Sequence, residues 1–95
     1  MSLQLLIHFK VKEDKLDSFK DLMNKTKEEL PKAPGCHGLT ILNSEENPCH
    51  FVLIETWIAK DLHDAYFEQM EKSGIWKYIT SHLEQEPTTE YFLDY

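Results

Sequence analysis

Four side chains have types and spacing suited to joint chemistry on a small molecule: His37, Trp57, His63 and Tyr66. Histidine titrates near neutral pH and can take a proton from a bound hydroxyl. Tyrosine adds a polar phenol, and tryptophan a broad apolar wall. Each also has a plain structural use. Trp57 can be core packing, His63 a solvated helix residue and Tyr66 amphipathic filler. His8 and His50 read as structural or exposed, and His82, beside Ile79, as a partly buried helix residue rather than a ligand.

A sharper idea is zinc, because Cys36-His37 and Cys49-His50 repeat a Cys-His pair and four such ligands suit that ion. Spacing argues against it. Glu45-Glu46-Asn47-Pro48 is a turn signal between two strands, so paired residues there sum to about 93, give or take a bulge. His37 then faces Thr56, Ser44 faces Cys49, and the two cysteines lie ~23 Å apart at ~3.3 Å per residue. One chain can bring together neither the four ligands nor a Cys36–Cys49 disulfide. The same register sets Cys36 and His37 beside Trp57, near the start of the next helix, whose first turns carry His63 and Tyr66.

The elements that must position these groups follow from periodicity. Leu3 to Val11 alternates, with Leu3, Leu5, Ile7, Phe9 and Val11 on one face, and reads as a strand. Lys12 to Leu30 carries an apolar stripe at Leu16, Phe19, Leu22, Met23 and Leu30, hence an amphipathic helix stopped by Pro31 and Pro34. A second strand runs from about His37 to Ser44. Phe51 to Ile58 is apolar on both faces apart from Glu55 and Thr56, so it is a central strand covered on both sides. Glu55 needs a partner there, expected from Lys, Arg or backbone N–H groups. Lys60 to Lys72 is a second helix, Ser73-Gly74 interrupts it, and Ile75 to Leu83 is a third helical piece. Thr88 to Tyr95 supplies a last strand.

The order β-α-β-β-α-β predicts an α+β, ferredoxin-like fold: a four-stranded antiparallel sheet with helices on one face. The other face still carries Val, Ile and Leu. An apolar patch of several hundred Å² is rarely left in water, so a homodimer packed sheet against sheet is expected.

Composition narrows the function. Ninety-five residues make a single domain, residues 1–95. A net charge of −7 speaks against nucleic acid or an anionic membrane as partner. No apolar run approaches a membrane span. Two cysteines, with no signal peptide ahead of the first strand, lead to the expectation of a cytoplasmic protein with free thiols. There is no Gly-rich phosphate loop, Gly-x-Ser-x-Gly or His-Glu-x-x-His, so no nucleotide, flavin or metal cofactor is predicted.

Ala33-Pro34-Gly35-Cys36-His37-Gly38, and Phe51 to Trp57 with its Glu-x-Trp ending, resemble the antibiotic biosynthesis monooxygenase family of dimeric α+β barrels. The Gly-Cys-His-Gly run is similar to that of its quinol monooxygenases. The resemblance spans nearly the whole chain and implies a cofactor-free oxygenase using O2 on an electron-rich aromatic such as a quinol or phenol. It implies Trp57 as a pocket wall; the hairpin register sets His37 beside it. Many relatives have a histidine where this chain has Tyr66, and from its position one turn earlier His63 is expected to take that place. Haem-degrading relatives resemble this chain over Ser73-Gly74-Ile75-Trp76-Lys77, but Thr80 stands at their ligand position and the first asparagine is Asn24, in the first helix. Two other readings stay open: an isomerase or other small-metabolite enzyme on the same scaffold, and a non-catalytic dimer that binds a small aromatic ligand.

Overall fold

The computed structural model describes residues 2–95. Its elements are β1 (Leu3–Lys10), α1 (Leu16–Glu29), β2 (Cys36–Asn43), β3 (His50–Trp57), α2 (Lys60–Ser73), α3 (Ile75–Thr80) and β4 (Thr88–Leu93). The four strands form one antiparallel sheet in the order β2-β3-β1-β4. The fold expected from periodicity is therefore the fold observed.

The alternation in β1 and β3 sorts the sheet into two faces. Leu3, Leu5, Ile7 and Phe9 of β1 join Phe51, Leu53, Glu55 and Trp57 of β3 under the helices, all buried. Phe19 and Met23 of α1 pack onto them. Phe19 is fully buried, its ring 5.5 Å from Phe9 and 5.1 Å from Phe51 between centroids. Such aromatic contacts add specific geometry to the area they bury.

The opposite face is different. Leu6, Val52 and Ile54 are only half-buried, and Leu42 and Phe92 are exposed. His8 and His50 stack beside one another there, with Nδ1 and Nε2 3.1 Å apart.

Several boundaries differ from expectation. A 3-10 turn at Glu13–Lys15 precedes α1 and another at Leu30–Lys32 follows it. Pro31 lacks the N–H that α-helical pairing needs, so the chain tightens there before it leaves the helix. β1 ends at Lys10, and Val11 makes a lone bridge to Leu83. The third helix stops at Thr80, because the chain turns to latch onto β1: Lys12 N donates to His82 O (2.9 Å) and Glu84 N to Lys10 O (2.8 Å).

Two glycines take positive φ. Gly74 (φ 85°) caps α2 in the left-handed conformation and lets α3 leave in a new direction. Gly35 (φ 88°) sits so close to α2 that a Cβ there would lie 2.5 Å from Leu62 Cδ1. No side chain fits, and this close approach seats the start of α2 against the start of β2.

Candidate active site

Between the helices and the buried face of the sheet lies a cavity of about 750 Å³, within the ordinary range for a small-molecule site. Leu5, Ile7, Phe9 and Leu53 form its floor; Leu22, Met23, Phe67, Met70, Trp76 and Ile79 its walls. Phe67 and Trp76 meet edge to face at 5.0 Å. The interior polar groups are His63 and Tyr66 from α2 and Glu55 from β3, with Tyr91 of β4 alongside.

His63 is buried on the first turn of α2. Its ring is 5.3 Å from Trp57, 6.3 Å from Phe67 and 5.9 Å from Tyr91. Nδ1 is sealed from solvent and has no hydrogen-bond partner. Asp64 Oδ1 lies 3.4 Å away, an ion-pair distance without hydrogen-bond alignment, and that carboxylate is held by Lys60 Nζ at 2.9 Å. With Nδ1 enclosed by protein, Nε2 is the nitrogen left for a molecule in the cavity. Burial pushes the His63 pKa below 6.5 and outweighs the opposing pull of Asp64. The imidazole is thus neutral at pH 7, the form that accepts a proton.

Tyr66 lies one turn on, its ring 5.5 Å from Trp57. Burial, helped by repulsion from the nearby acidic groups Glu55, Cys36 and Glu29, pushes its pKa up to about 12. Near neutral pH it is therefore a neutral phenol, able to donate or accept a hydrogen bond.

The expected convergence of four residues is corrected in two places. His37 is exposed and does not line the cavity. A bulge falls at this position: Cys36 pairs with Trp57 and Gly38, not His37, with Thr56. Regular alternation would have turned His37 inward with Leu39. The extra residue lets Cys36 take the inward place and swings His37 out. Past the bulge the whole hairpin is shifted by one from the expected register, with Asn43 opposite Phe51.

Trp57 is the second correction. It is fully buried and absent from the cavity lining. It stands one layer behind, backing His63 and Tyr66 with its ring and holding Glu55 with its indole, Nε1 donating to Oε1 at 2.8 Å.

Glu55 is the cavity residue that sequence reasoning missed. Its expected partner was a cation or backbone N–H, and the actual one is the indole two residues along the same strand face. Burial raises its pKa, and the Trp57 hydrogen bond only partly offsets that. The available signal was its position, a carboxylate in phase with Phe51, Leu53 and Trp57.

His82 is buried too, but both its nitrogens are engaged: Nε2 lies 2.8 Å from Ser18 Oγ and Nδ1 2.8 Å from the Tyr78 carbonyl. Cys36 and Cys49 are free thiols at opposite ends of the β2–β3 hairpin. Among the described residues no helix is long and apolar enough to cross a membrane.

Residues 3–71 match the family model described as antibiotic biosynthesis monooxygenase. The chain belongs to that family. Among solved structures it is similar to an antibiotic biosynthesis monooxygenase at 20% identity and TM-score 0.88, covering 98% of each chain. A conserved protein from Methanosarcina mazei Go1 is similar at 21% identity and TM-score 0.86, over 97% of this chain and 91% of that one. A mutant of SnoaB, a cofactor-independent oxygenase from Streptomyces nogalater, is similar at 15% identity and TM-score 0.82, over 98% and 92%. At these identities the likeness is one of fold. No curated protein matches the sequence.

Proposed function

We propose that this protein is a cofactor-free monooxygenase that oxidises a small electron-rich aromatic, a hydroquinone or related phenol, with O2. The observation that carries the reading is a neutral imidazole, His63, with Nδ1 free of hydrogen bonds, lining a mostly apolar cavity together with Glu55 and Tyr66. That family membership and the fold shared with a cofactor-independent oxygenase support it.

The chemistry needs little from the protein. A hydroxyl of the bound substrate gives its proton to His63, and the O–H electron pair stays on the ring. The electron-rich anion passes one electron to O2, and the two radicals join in a new C–O bond. The peroxide takes back the proton held by His63, and loss of the C–H proton from that carbon with O–O cleavage expels the second oxygen atom as water and leaves a quinone. A hydroquinone plus O2 thus becomes a hydroxyquinone plus water. Tyr66 orients the substrate by hydrogen bonding, and Trp57 keeps His63 and Glu55 in place from behind.

We also read residues 1–95 as one functional domain that works as a homodimer, sheet against sheet. The partly covered face with exposed Leu42 and Phe92 supports this. Light scattering should give twice the 11.2 kDa chain mass; a monomer mass would contradict it.

The test is 18O2 uptake by metal-stripped protein across a panel of hydroquinones and phenols, corrected for autoxidation. Saturable uptake, with one labelled oxygen per quinone formed, is expected. No saturable uptake on any member would overturn the oxygenase reading. Turnover without oxygen would then favour an isomerase, and binding without turnover a ligand-binding protein.

A further inference from the structure

The chain contains no arginine; all ten of its cationic side chains are lysines. Arginine's planar fork is the usual device for holding a carboxylate, sulfonate or phosphate away from water. Among the described residues lining the cavity, Lys25 is the only cation, while Glu29, Glu55 and Glu86 all contribute carboxyls. Lys25, Glu29 and Glu86 are exposed, so water screens them. Glu55 is 5% exposed and faces the cavity from the central strand.

Glu55 also cannot easily move aside. Its Oε1 is tied to the Trp57 indole, and Trp57 is wedged between β3 and the rings of His63 and Tyr66. The second oxygen, Oε2, is left to meet a ligand. A neutral hydroxyl can donate a hydrogen bond to it. An anionic substituent nearby must either sit against a like charge in a poorly screened site or force a proton onto the carboxylate, and both cost affinity.

We propose that the cavity selects uncharged hydroxyarenes and rejects their carboxylated, sulfonated or phosphorylated counterparts, with Glu55 as the residue that sets the choice. This deepens the oxygenase reading and rests on its placement of the substrate in this cavity. Glu55 acts as a specificity determinant in its ionised form, while His63 takes the proton.

A matched pair tests it: methylhydroquinone and 2,5-dihydroxybenzoate, similar in size and differing by a carboxylate. Binding is read without turnover in oxygen-free buffer, by quenching of the fluorescence of Trp57 and Trp76. Wild-type protein should bind the neutral ligand at least about tenfold more tightly, a difference of about 1.4 kcal/mol. Glu55→Gln keeps an acceptor for the Trp57 indole and should narrow that ratio at least about threefold, mainly by improving the anion. The exposed pair Glu29→Gln and Glu86→Gln, changed together, should narrow it less. Equal affinities in wild-type protein, no quenching by either ligand, or a folded Glu55→Gln protein with an unchanged ratio would overturn the proposal. If Glu55→Gln fails to fold, the wild-type ratio and the exposed double variant still decide: a larger effect from the exposed pair than threefold would place the selectivity at the rim and remove Glu55 from it. The preference without oxygen uptake would remove the oxygenase reading alone. Oxygen uptake with no preference would remove the specificity reading alone.

Discussion

His63 and His82 are both buried, 7% and 3% exposed, and both pack against aromatic rings. Their hydrogen bonding separates them. His82 spans from Tyr78 to Ser18 and uses both ring nitrogens, so it ties the turn after α3 to α1. In the neutral ring one nitrogen donates and the other accepts, which fits a carbonyl on one side and a hydroxyl on the other. His63 has no such closure, and its neighbourhood opens onto a cavity. A buried polar atom without a partner costs stability. Burial alone therefore does not separate the two histidines; the proposed role of His63 rests on its place in the cavity lining and on a ring not closed by hydrogen bonds on both sides.

Single substitutions should break the comparison cleanly. His63→Ala should lower kcat/KM for oxygen uptake by about a hundredfold or more, the scale of a lost general base. His82→Ala should leave kcat/KM within about threefold when assayed well below its unfolding temperature. Equal losses in the two variants would mean that neither hydrogen-bond closure nor the cavity separates them.

Stability should rank the opposite way. His82→Ala removes a ring that satisfies two partners and should cost about 2 kcal/mol in urea unfolding. Ser18→Ala removes one of those hydrogen bonds and should cost about 1 kcal/mol. A Ser18→Ala protein as stable as the wild type would show that the Ser18–His82 contact contributes nothing.

The smallest effect is in the pH profile. Burial depresses the His63 pKa, so the base stays deprotonated below the usual histidine midpoint. The acid limb of kcat/KM should fall below pH 6.5, and activity should be lost only as pH drops through that lowered value. A limb at or above 6.5 would assign the titration to another group. The linkage has the same sign for folding: the unfolded chain takes up the His63 proton first, so this residue's contribution to stability declines as pH falls through about 6.5.

The legible parts of the molecule are those governed by short-range repetition. The period-two runs of β1 and β3 announce strands because successive side chains alternate faces, and the same count puts Glu55 in phase with Phe51, Leu53 and Trp57. The stripe through Phe19 and Met23 gives α1 its buried side for the helical reason. His63 and Tyr66 were likewise readable as neighbours one turn apart on α2.

Long-range geometry was not readable in this way. One extra residue at His37 ejects that side chain and lifts the hairpin register by one, a choice made by what Cys36 and Leu39 can bury. Trp57 withdraws behind the cavity because Glu55 needs a buried donor and its indole is within reach on the same strand face. The Ser18–His82 contact joins residues 64 apart and required α1 and the turn after α3 to meet. Sequence by itself determined the elements, their order and which face of each is apolar, because those follow from local periodicity and burial. Only the tertiary structure decided which polar groups share the cavity and which are spent on one another. Pairing of buried donors and acceptors is settled by distances that exist only once the chain has packed.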